Sequence, residues 1–435
     1  MSIPVGARPE VRAMRIFETA RPVYVPVQPS SVAKGVIVFL VIFLLVFPKG
    51  GIKLGDIPLT WGYLGLAIGA FWLPIALLLG HPLRLRRVRL LVLAAQIPFQ
   101  LVIWLTLLSQ GTRGMGFAIS LVVTFFFLPA MFVGVLGVHL DRIRLEFLFR
   151  LIRGAVVFVA AYGIFLFFYK LLIGSFVEIP YLTVNAGDMG ELETSKFIDR
   201  GGVFKLISTY NNGNLYGISI LLILPLFAWL EHRASRLALV KLSLVLTLSR
   251  TIWFGLIVYE IMHRLYVRRV SIQGVATLGS ALLFVALGIG YALSLMGFDA
   301  SFIFDRNLGG RLTQFDALES VAVLPGRPFE TIGEIVYLSV MQSFGAVGFV
   351  AFLIAITAPL GAHFLGVLPF RDSDYKRSLA GALVVYLVIA VSDGGMLYIP
   401  VMAFFWFVVS LMLSDNPSFG DIEGAPSGAS PSRVG

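Results

Sequence analysis

A single arginine, Arg250, lies near the middle of the apolar run LVLTLSRTIWFGLIVYEI, residues 244–261. A charged guanidinium is costly in hydrocarbon, so an arginine within an apolar segment normally faces a polar or water-filled cavity. Arg250 is therefore expected to line such a cavity.

A second set of candidates lies in FDASFIFDRNLGGRLTQFDALESVAVLPGRPFETIGEI, residues 298–335, which supplies Arg306, Arg311, Arg327 and Glu334. These arginines are suited to phosphate, because a planar guanidinium can donate two hydrogen bonds to two oxygens. Surface ion pairs and snorkelling are the competing roles, and we expect one of them for at least one of the three arginines. An ion pair with Arg306, Arg311 or Arg327 is likewise the alternative role of Glu334.

Polar residues also cluster in YNNGNLYG, residues 210–217, where Asn211, Asn212 and Asn214 stand at a helix start. They either cap the helix, with Tyr210 and Tyr216 as interfacial aromatics, or contact sugar hydroxyls. The acidic GDMGELET, residues 187–194, lacks the spacing of a calcium loop, so we expect a solvated surface without metal. The absence of cysteine excludes disulfides and thiolate sites.

The composition that surrounds these residues indicates an integral membrane protein. Hydrophobic residues make up 58% of the chain, charged residues 13%, and the mean hydropathy is +0.90. Apolar windows of the ~20 residues needed to cross a bilayer recur throughout residues 33–414. We predict an all-α fold: one transmembrane domain, 33–414, between a cytoplasmic tail, 1–32, without a signal peptide and a disordered cytoplasmic tail, 415–435.

We predict about 12 helical segments. They lie at 33–48, 59–80, 89–108, 116–139, 154–174, 209–230, 238–249, 251–263, 271–297, 336–358, 378–397 and 398–414. The connectors HPLRLRRVRL, 81–90, and LDRIRLEFLFRLIRG, 140–154, are rich in arginine, whereas GTRGMG and the loop 175–208 are not. The positive-inside rule assigns the basic connectors to the cytoplasm and the two long loops, 175–208 and 298–335, to the outer face. The net charge of +10 then reflects orientation, and no nucleic-acid partner is expected.

Basic residues flank 238–263 on both sides, which indicates two short helices that enter the membrane and return. About 12 residues at 1.5 Å each reach only ~18 Å of the ~30 Å core. Arg250 would then lie at the apex. One continuous helix with inverted downstream topology is the alternative. GLAIG, 65–69, has the small-xxx-small spacing of helix packing.

The order of four motifs resembles the O-antigen polymerase and ligase superfamily, which contains Wzy-type polysaccharide polymerases and WaaL-type ligases. The matching elements cover about residues 198–355. They are Arg200 ahead of YNNGNLYG, LTLSRT around Arg250, GGR ending at Arg311, and VYLSVMQSFGAVGF after the second long loop.

The resemblance implies a metal-independent glycosyltransferase of the bacterial inner membrane, multi-pass, with its active site facing the periplasm and no cofactor. Its donor would be an undecaprenyl-pyrophosphate-linked oligosaccharide, and membrane lipids and a chain-length regulator protein are the other expected partners. Arg250 and Arg311 would bind the pyrophosphate. Arg200, Asn211 and Asn214 would be lesser members of the site, with Arg306 and Arg327 as further substrate-binding candidates.

One departure from the family pattern favours a polymerase over a ligase. The family's histidine near EIVYLS is absent, Glu334 stands about where it should be, and the predicted topology places all five histidines in the cytoplasm. Glu334 is therefore the candidate base of a polymerase that transfers a growing glycan to a lipid-linked repeat unit. The alternatives are an O-antigen ligase acting on lipid A core and a flippase or transporter of lipid-linked oligosaccharide.

Overall fold

The computed structural model describes residues 27–54, 57–78, 85–190, 192, 204–267, 321–368 and 373–416, together with isolated positions between 273 and 315. Helices dominate these residues. The first half of the chain contains α1 Ser31–Val41, α2 Trp61–Leu78, α3 Arg87–Ala94, α4 Ile97–Ser109, α5 Met115–Val122, α6 Gly137–Leu140 and α7 Glu146–Ile173. The second half contains α8 Gly213–Leu230, α9 Ala234–Val245, α10 Arg250–Met262, α11 Val336–Phe364, α12 Asp374–Ile389 and α13 Ile399–Met412.

The apolar helices indicate a membrane-embedded protein. Within the described residues, five helical stretches are long and apolar enough to span a bilayer: Arg87–Ser109, Met115–Leu140, Glu146–Ile173, Gly213–Leu230 and Val336–Phe364. Ser31–Val46 and Ile399–Met412 are shorter apolar helices. Large apolar side chains such as Leu108 and Leu172 are 81% exposed, as expected of a surface that faces lipid. The all-α class agrees with the prediction, and the total of about 12 segments stays a prediction.

The segment around Arg250 folds as a broken pair of helices, α9 and α10. The Trp253 indole N–H donates to the carbonyl of Val245 (2.9 Å), and Lys241 forms an ion pair with Glu260. Lys241 precedes Val245 in α9, whereas its partner Glu260 follows Trp253 in α10. The two helices therefore run antiparallel. The predicted antiparallel pair is confirmed, and its place in the membrane stays a prediction. The turn comprises residues 246–249, so Arg250, predicted at the apex, is instead the first residue of α10. The first helix, predicted at 238–249, is Ala234–Val245.

Connectors gather at two ends of the bundle. At one end, Val27 pairs through its backbone with Arg142 and Arg144, and the Asn416 amide donates to the carbonyl of Leu140. We call this the basic end. It also contains residues 231–236 and 373–377, because Phe149, Trp229 and Tyr375 pack together there, and residues 86–89, because Arg89 pairs with Asp141. Segments 47–60, 175–190, 204–212, 246–249 and 390–398 meet at the opposite end. This grouping follows the charge pattern, while the face of the membrane that each end occupies stays a prediction.

Two local features differ from the sequence-based prediction. A two-stranded antiparallel sheet, β1 Gly51–Leu54 with β2 Ile57–Thr60, occupies the connector before α2. The segment predicted as one helix over 378–397 ends at Ile389, and residues 390–398 form turns. Ser-Asp-Gly-Gly at 392–395 is a turn sequence, and Gly395 has a φ of +54°. A helix could not continue through that position.

The small residues of GLAIG allow close packing of α2, as predicted. A Cβ at Gly65 would overlap the ring of Phe39 on α1, and one at Gly69 would lie 3.3 Å from the sulfur of Met131. Glycine at these positions therefore lets α2 approach its neighbours.

Candidate functional site

Four chain segments converge at the end opposite the basic end. The amide of Leu206 donates to the carbonyl of Leu246 (3.0 Å), which joins the segment before α8 to the tip between α9 and α10. The amide of Val336 donates to Ala390 (3.3 Å), which joins the start of α11 to the end of α12. Thr251 and Ser392 share a hydroxyl–hydroxyl hydrogen bond of 2.9 Å, which joins α10 to the turn after α12.

Polar side chains meet where these segments converge. We call Lys205, Asn214, Thr251, Ser392 and Asp393 the asparagine cluster. The Asn214 amide donates to a carboxylate oxygen of Asp393 (2.7 Å), and its carbonyl oxygen accepts from the Lys205 ammonium (3.2 Å). Lys205 is 4% exposed and Asp393 is 8% exposed. An amide that bridges a buried cation and a buried anion satisfies both, because buried charges require such partners.

The three asparagines before α8 have different roles. Asn212 caps the helix, since its side-chain oxygen accepts from the amides of Asn214 (2.8 Å) and Leu215 (3.2 Å). Asn211 has a left-handed backbone (φ +55°), and its side-chain amide donates to the carbonyl of Thr183 (2.9 Å). Asn214 points into the asparagine cluster. The capping alternative is thus confirmed for Asn212.

The two tyrosines of the same motif are fully buried, contrary to an interfacial position. The Tyr210 hydroxyl donates to the carbonyl of Leu45 (3.0 Å), and the Tyr216 hydroxyl bonds to Ser243 (2.5 Å). Both rings pack in the apolar core. The motif therefore anchors α8 in the bundle and presents Asn214 to the asparagine cluster.

Arg250 is half-buried as the first residue of α10, directly before Thr251 of the asparagine cluster. Among the helices that begin at this end, α8, α10 and α11 start in or next to the converging segments. Helix starts carry partial positive charge, and neither Ser249 nor Ile335 caps its helix with a side chain. Together with Lys205 and Arg250, these helix starts create an environment that favours an anion.

Glu334 is exposed and lies two residues before Val336, which contacts the turn after α12. A Cβ at Gly394 would come within 2.7 Å of the Val336 side chain, so these two segments are in close contact. Glu334 therefore lies two residues from a segment that contacts the turn containing Asp393, and its side chain is exposed.

Arg327 belongs to a different contact at this end. It is exposed and lies two residues before Phe329, whose amide and carbonyl pair with the backbone of Gly111 (3.1 Å) and Arg113 (2.8 Å). The adjacent Glu330 forms an exposed ion pair with Arg113 (2.5 Å). We call residues 329–330, with their contacts to Gly111 and Arg113, the strap. The strap fixes the end of the second long loop to the turn between α4 and α5. The substrate-binding role of Arg327 stays a prediction.

Three predicted site residues, Arg200, Arg306 and Arg311, lie outside the described residues. The four motif residues that the structure describes, Arg250, Asn211, Asn214 and Glu334, all lie in segments at one end. Asn214 is in the asparagine cluster and Arg250 adjoins it.

Sequence reasoning missed Lys205, Thr251, Ser392 and Asp393. The sequence-based prediction places Ser392 and Asp393 inside a spanning helix, although Ser-Asp-Gly-Gly is a turn signal that indicates a loop. A lone aspartate deep in an otherwise apolar stretch is also a functional signal in membrane proteins. Lys205 had no comparable signal, because only the fold brings it beside Asn214.

Strained backbone conformations occur at the same end of the molecule as this site. Among the described non-glycine residues, those with positive φ are Tyr181 (+64°), Ser208 (+49°), Asn211 (+55°) and Leu248 (+47°). All four lie in segments at the end opposite the basic end. Sparsely populated conformations cost about 1–3 kcal/mol each and tend to occur where function requires a fixed geometry.

Lys49 adds a cation to this end of the molecule, in the connector before β1. Burial lowers the pKa of Lys49, and the charge of Asp188 offsets part of that effect. The Lys49 ammonium lies 5.1 Å from the centre of the Tyr398 ring. Among the described residues, no group of three or more histidines and carboxylates is arranged to hold a metal ion.

Comparison with family models, curated proteins and solved structures gives no match for this chain. The fold and the site together define a helical membrane-embedded protein with a buried polar cluster at one end. The resemblance to the polymerase and ligase superfamily rests on the motifs and their order.

Proposed function

We propose that the protein is a polysaccharide polymerase, which transfers a growing glycan from undecaprenyl pyrophosphate to a lipid-linked repeat unit at the periplasmic face of the bacterial inner membrane. One observation carries the proposal: Lys205, Arg250 and the starts of α8, α10 and α11 lie at the same end, around one buried polar cluster. That arrangement suits a pyrophosphate group.

In this reaction the acceptor hydroxyl attacks the anomeric carbon while the bond from that carbon to the pyrophosphate oxygen breaks. Negative charge then develops on the leaving pyrophosphate. Arg250 and Arg311 stabilise that charge because fixed donors in a poorly solvated site need no reorganisation, and removal of one such donor typically costs about 10²–10³-fold in rate.

Glu334 is the candidate base for the acceptor hydroxyl, a role that contributes about 10²–10⁴-fold. Its exposed position suits contact with an incoming acceptor. Asp393 is buried and bonded to Asn214, which suits it to hold the Asn214 amide and the Lys205 ammonium in place. Asn211 is bonded to Thr183, so its contribution is to fix the backbone before α8.

Purified protein supplied with lipid-linked repeat units tests the proposal. The wild-type protein should form glycan chains of increasing length, seen as a ladder on a gel, without lipid A or metal. Arg250→Ala should reduce the rate of ladder formation by about 10²-fold or more. Arg250→Lys should restore part of the rate, because lysine keeps the charge but not the fork.

Arg113→Ala is the matched control, since Arg113 is an exposed arginine at the same end and outside the asparagine cluster. A wild-type ladder from Arg250→Ala would overturn the proposed pyrophosphate contact. Glycan transfer that requires lipid A core would identify a ligase. Movement of the lipid-linked unit across a vesicle membrane without glycan transfer would identify a flippase.

A further inference from the structure

An apolar groove lies near the basic end, between α1, α7, α13 and the helical turns after α5. Its walls include Ile37, Leu44, Phe132, Leu148, Ala403 and Phe407, and all the residues that line it are apolar. The space in it that a water-sized molecule can occupy is about 40 Å³, so the groove is narrow. Such a space suits a hydrocarbon chain, because it offers no hydrogen-bonding group to water.

Two irregular helical segments form part of the walls. Leu44 belongs to the π-helical segment Ile42–Val46, and Phe132 belongs to the π-helical segment Ala130–Leu136. π-helical geometry is rare in proteins and often occurs at functional sites. π-helical turns also occur at Val123–Phe127 and His263–Val267, so at the groove they shape the walls and are not by themselves a sign of binding.

Basic side chains border the groove at the basic end. Lys34 is one turn before Ile37 on the same face of α1, and its ammonium lies 5.9 Å from the centre of the Phe147 ring. The backbone of Val27 pairs with that of Arg142 and Arg144, which brings both arginines to the start of α1.

The charge of this border is positive. Lys34, Arg142 and Arg144 are all exposed, and Glu146 at the start of α7 is the acidic neighbour. Asp141 precedes Arg142 but is paired with Arg89, so three cations against Glu146 leave a net positive charge at this end of the groove.

We propose that this groove binds one acyl chain of an anionic phospholipid, whose phosphate contacts Lys34, Arg142 and Arg144. The apolar walls select a hydrocarbon chain, and the border selects a negatively charged headgroup over a zwitterionic one. Basic residues beside a membrane attract anionic lipid. The site is at the opposite end from the asparagine cluster, so it does not depend on the proposed glycosyl transfer.

Native mass spectrometry of the full-length protein tests the site, with phosphatidylglycerol and phosphatidylcholine of identical chains added in equal amounts. The wild-type protein should retain phosphatidylglycerol preferentially, and that lipid should raise its melting temperature more than phosphatidylcholine does. Ala403→Phe, which fills the groove, should remove the preferential binding. Leu172→Phe on the lipid-facing surface of α7 is the matched control and should leave it unchanged.

The border is tested separately by Lys34→Ala combined with Arg142→Ala and Arg144→Ala. This variant keeps the groove intact and should lower the apparent affinity for phosphatidylglycerol by about tenfold or more, with little effect on phosphatidylcholine. Arg87→Ala, an exposed arginine at the same end on α3, should change neither. Equal retention of both lipids by the wild-type protein, or unchanged binding in both the filled and the neutralised variants, would overturn the proposal.

Discussion

Arg89 at the basic end donates to Asp141 (2.8 Å) and to the carbonyl of Val133 (3.1 Å), whereas Asn214 at the opposite end joins two side chains, Lys205 and Asp393. The first contact belongs to a set that we call the arginine cluster: Arg89, Asp141, Lys376, Ser414 and Asn416. Asp141 also accepts from Ser414 (2.7 Å) and from the amide of Asp415 (3.1 Å). Lys376 donates to the carbonyl of Ser414 (2.7 Å).

The two clusters differ in what their hydrogen bonds hold. In the arginine cluster the partners include backbone carbonyls of Val133, Leu140, Ile143 and Ser414, so the cluster ties α3 and α12 to the chain after α6 and after α13. In the asparagine cluster the bonds run between side chains of separate segments, close to strained backbone. The first arrangement is typical of a structural link and the second of a site.

Another structural contact at the basic end involves Glu231, the residue after α8, which contacts Arg233 and Arg236. Burial raises the pKa of this carboxyl, but hydrogen bonds from the Arg233 amide and from Arg236, with the charges of Arg236 and Arg153, outweigh burial and hold the pKa below its ordinary value. The buried carboxylate is fully satisfied there and fixes the turn between α8 and α9.

Asp141→Asn should have the largest effect on stability. Arg89 is 1% exposed, so loss of the carboxylate leaves a buried cation, and we expect a cost of about 3–5 kcal/mol in the free energy of unfolding. Thermal unfolding in detergent measures it. Asp374→Asn is the control: its carboxylate is 59% exposed in the pair with Arg377, so its removal should cost under about 1 kcal/mol. Equal losses of unfolding free energy in the two variants would contradict the structural role of the arginine cluster.

Asp393→Asn is the corresponding change in the asparagine cluster. Ladder formation should fall about 10²-fold, because the Asn214 amide and the Lys205 ammonium lose the charge that positions them. The free energy of unfolding should fall less than in Asp141→Asn. The two variants therefore separate the clusters, provided that activity and melting temperature are measured on the same preparations. Unchanged ladder formation would contradict the assignment of Asp393 to the site.

Strain at the tip between α9 and α10 is tested with two leucines. Leu248 has a φ of +47°, whereas Leu246 has a φ of −69°, and both are half-buried. Glycine removes the same side chain at each position but relieves strain only at Leu248. Leu246→Gly should therefore destabilise the protein by about 1–2 kcal/mol more than Leu248→Gly. The opposite order of melting temperatures would show that the tip is not strained.

Arg113→Ala should have the smallest effect. Arg113 and Glu330 are 69% and 56% exposed, and exposed ion pairs contribute at most about 1 kcal/mol. The backbone pairing of Arg113 with Phe329 persists in the variant, so the strap should remain in place. A loss comparable to that of Asp141→Asn would show that the strap depends on this ion pair.

Much of the fold could be predicted because apolar length and charge are local properties of the chain. Apolar runs predicted most helix positions within a few residues, and the charges on both sides of 238–263 predicted the broken pair of helices around Arg250. The boundary of α12 could not be predicted from hydropathy alone, since the turn after Ile389 continues an apolar segment.

Part of the candidate site could also be predicted. Asn214 and Arg250 could be predicted because their side chains are polar within largely apolar segments. Lys205 and Asp393 could not be joined to them, because residues separated by 188 positions become neighbours only through helix packing around Asn214.

The sequence by itself determined the mainly helical, membrane-embedded class of this protein, the presence of a break next to Arg250 and the grouping of basic connectors. These follow from hydrophobicity and charge, which depend on residue type and spacing. Only the tertiary structure decided which asparagine caps α8 and which one bridges Lys205 and Asp393. That choice depends on the packing of α8 against α12 and on the turn after Ile389, which set the direction of each side chain.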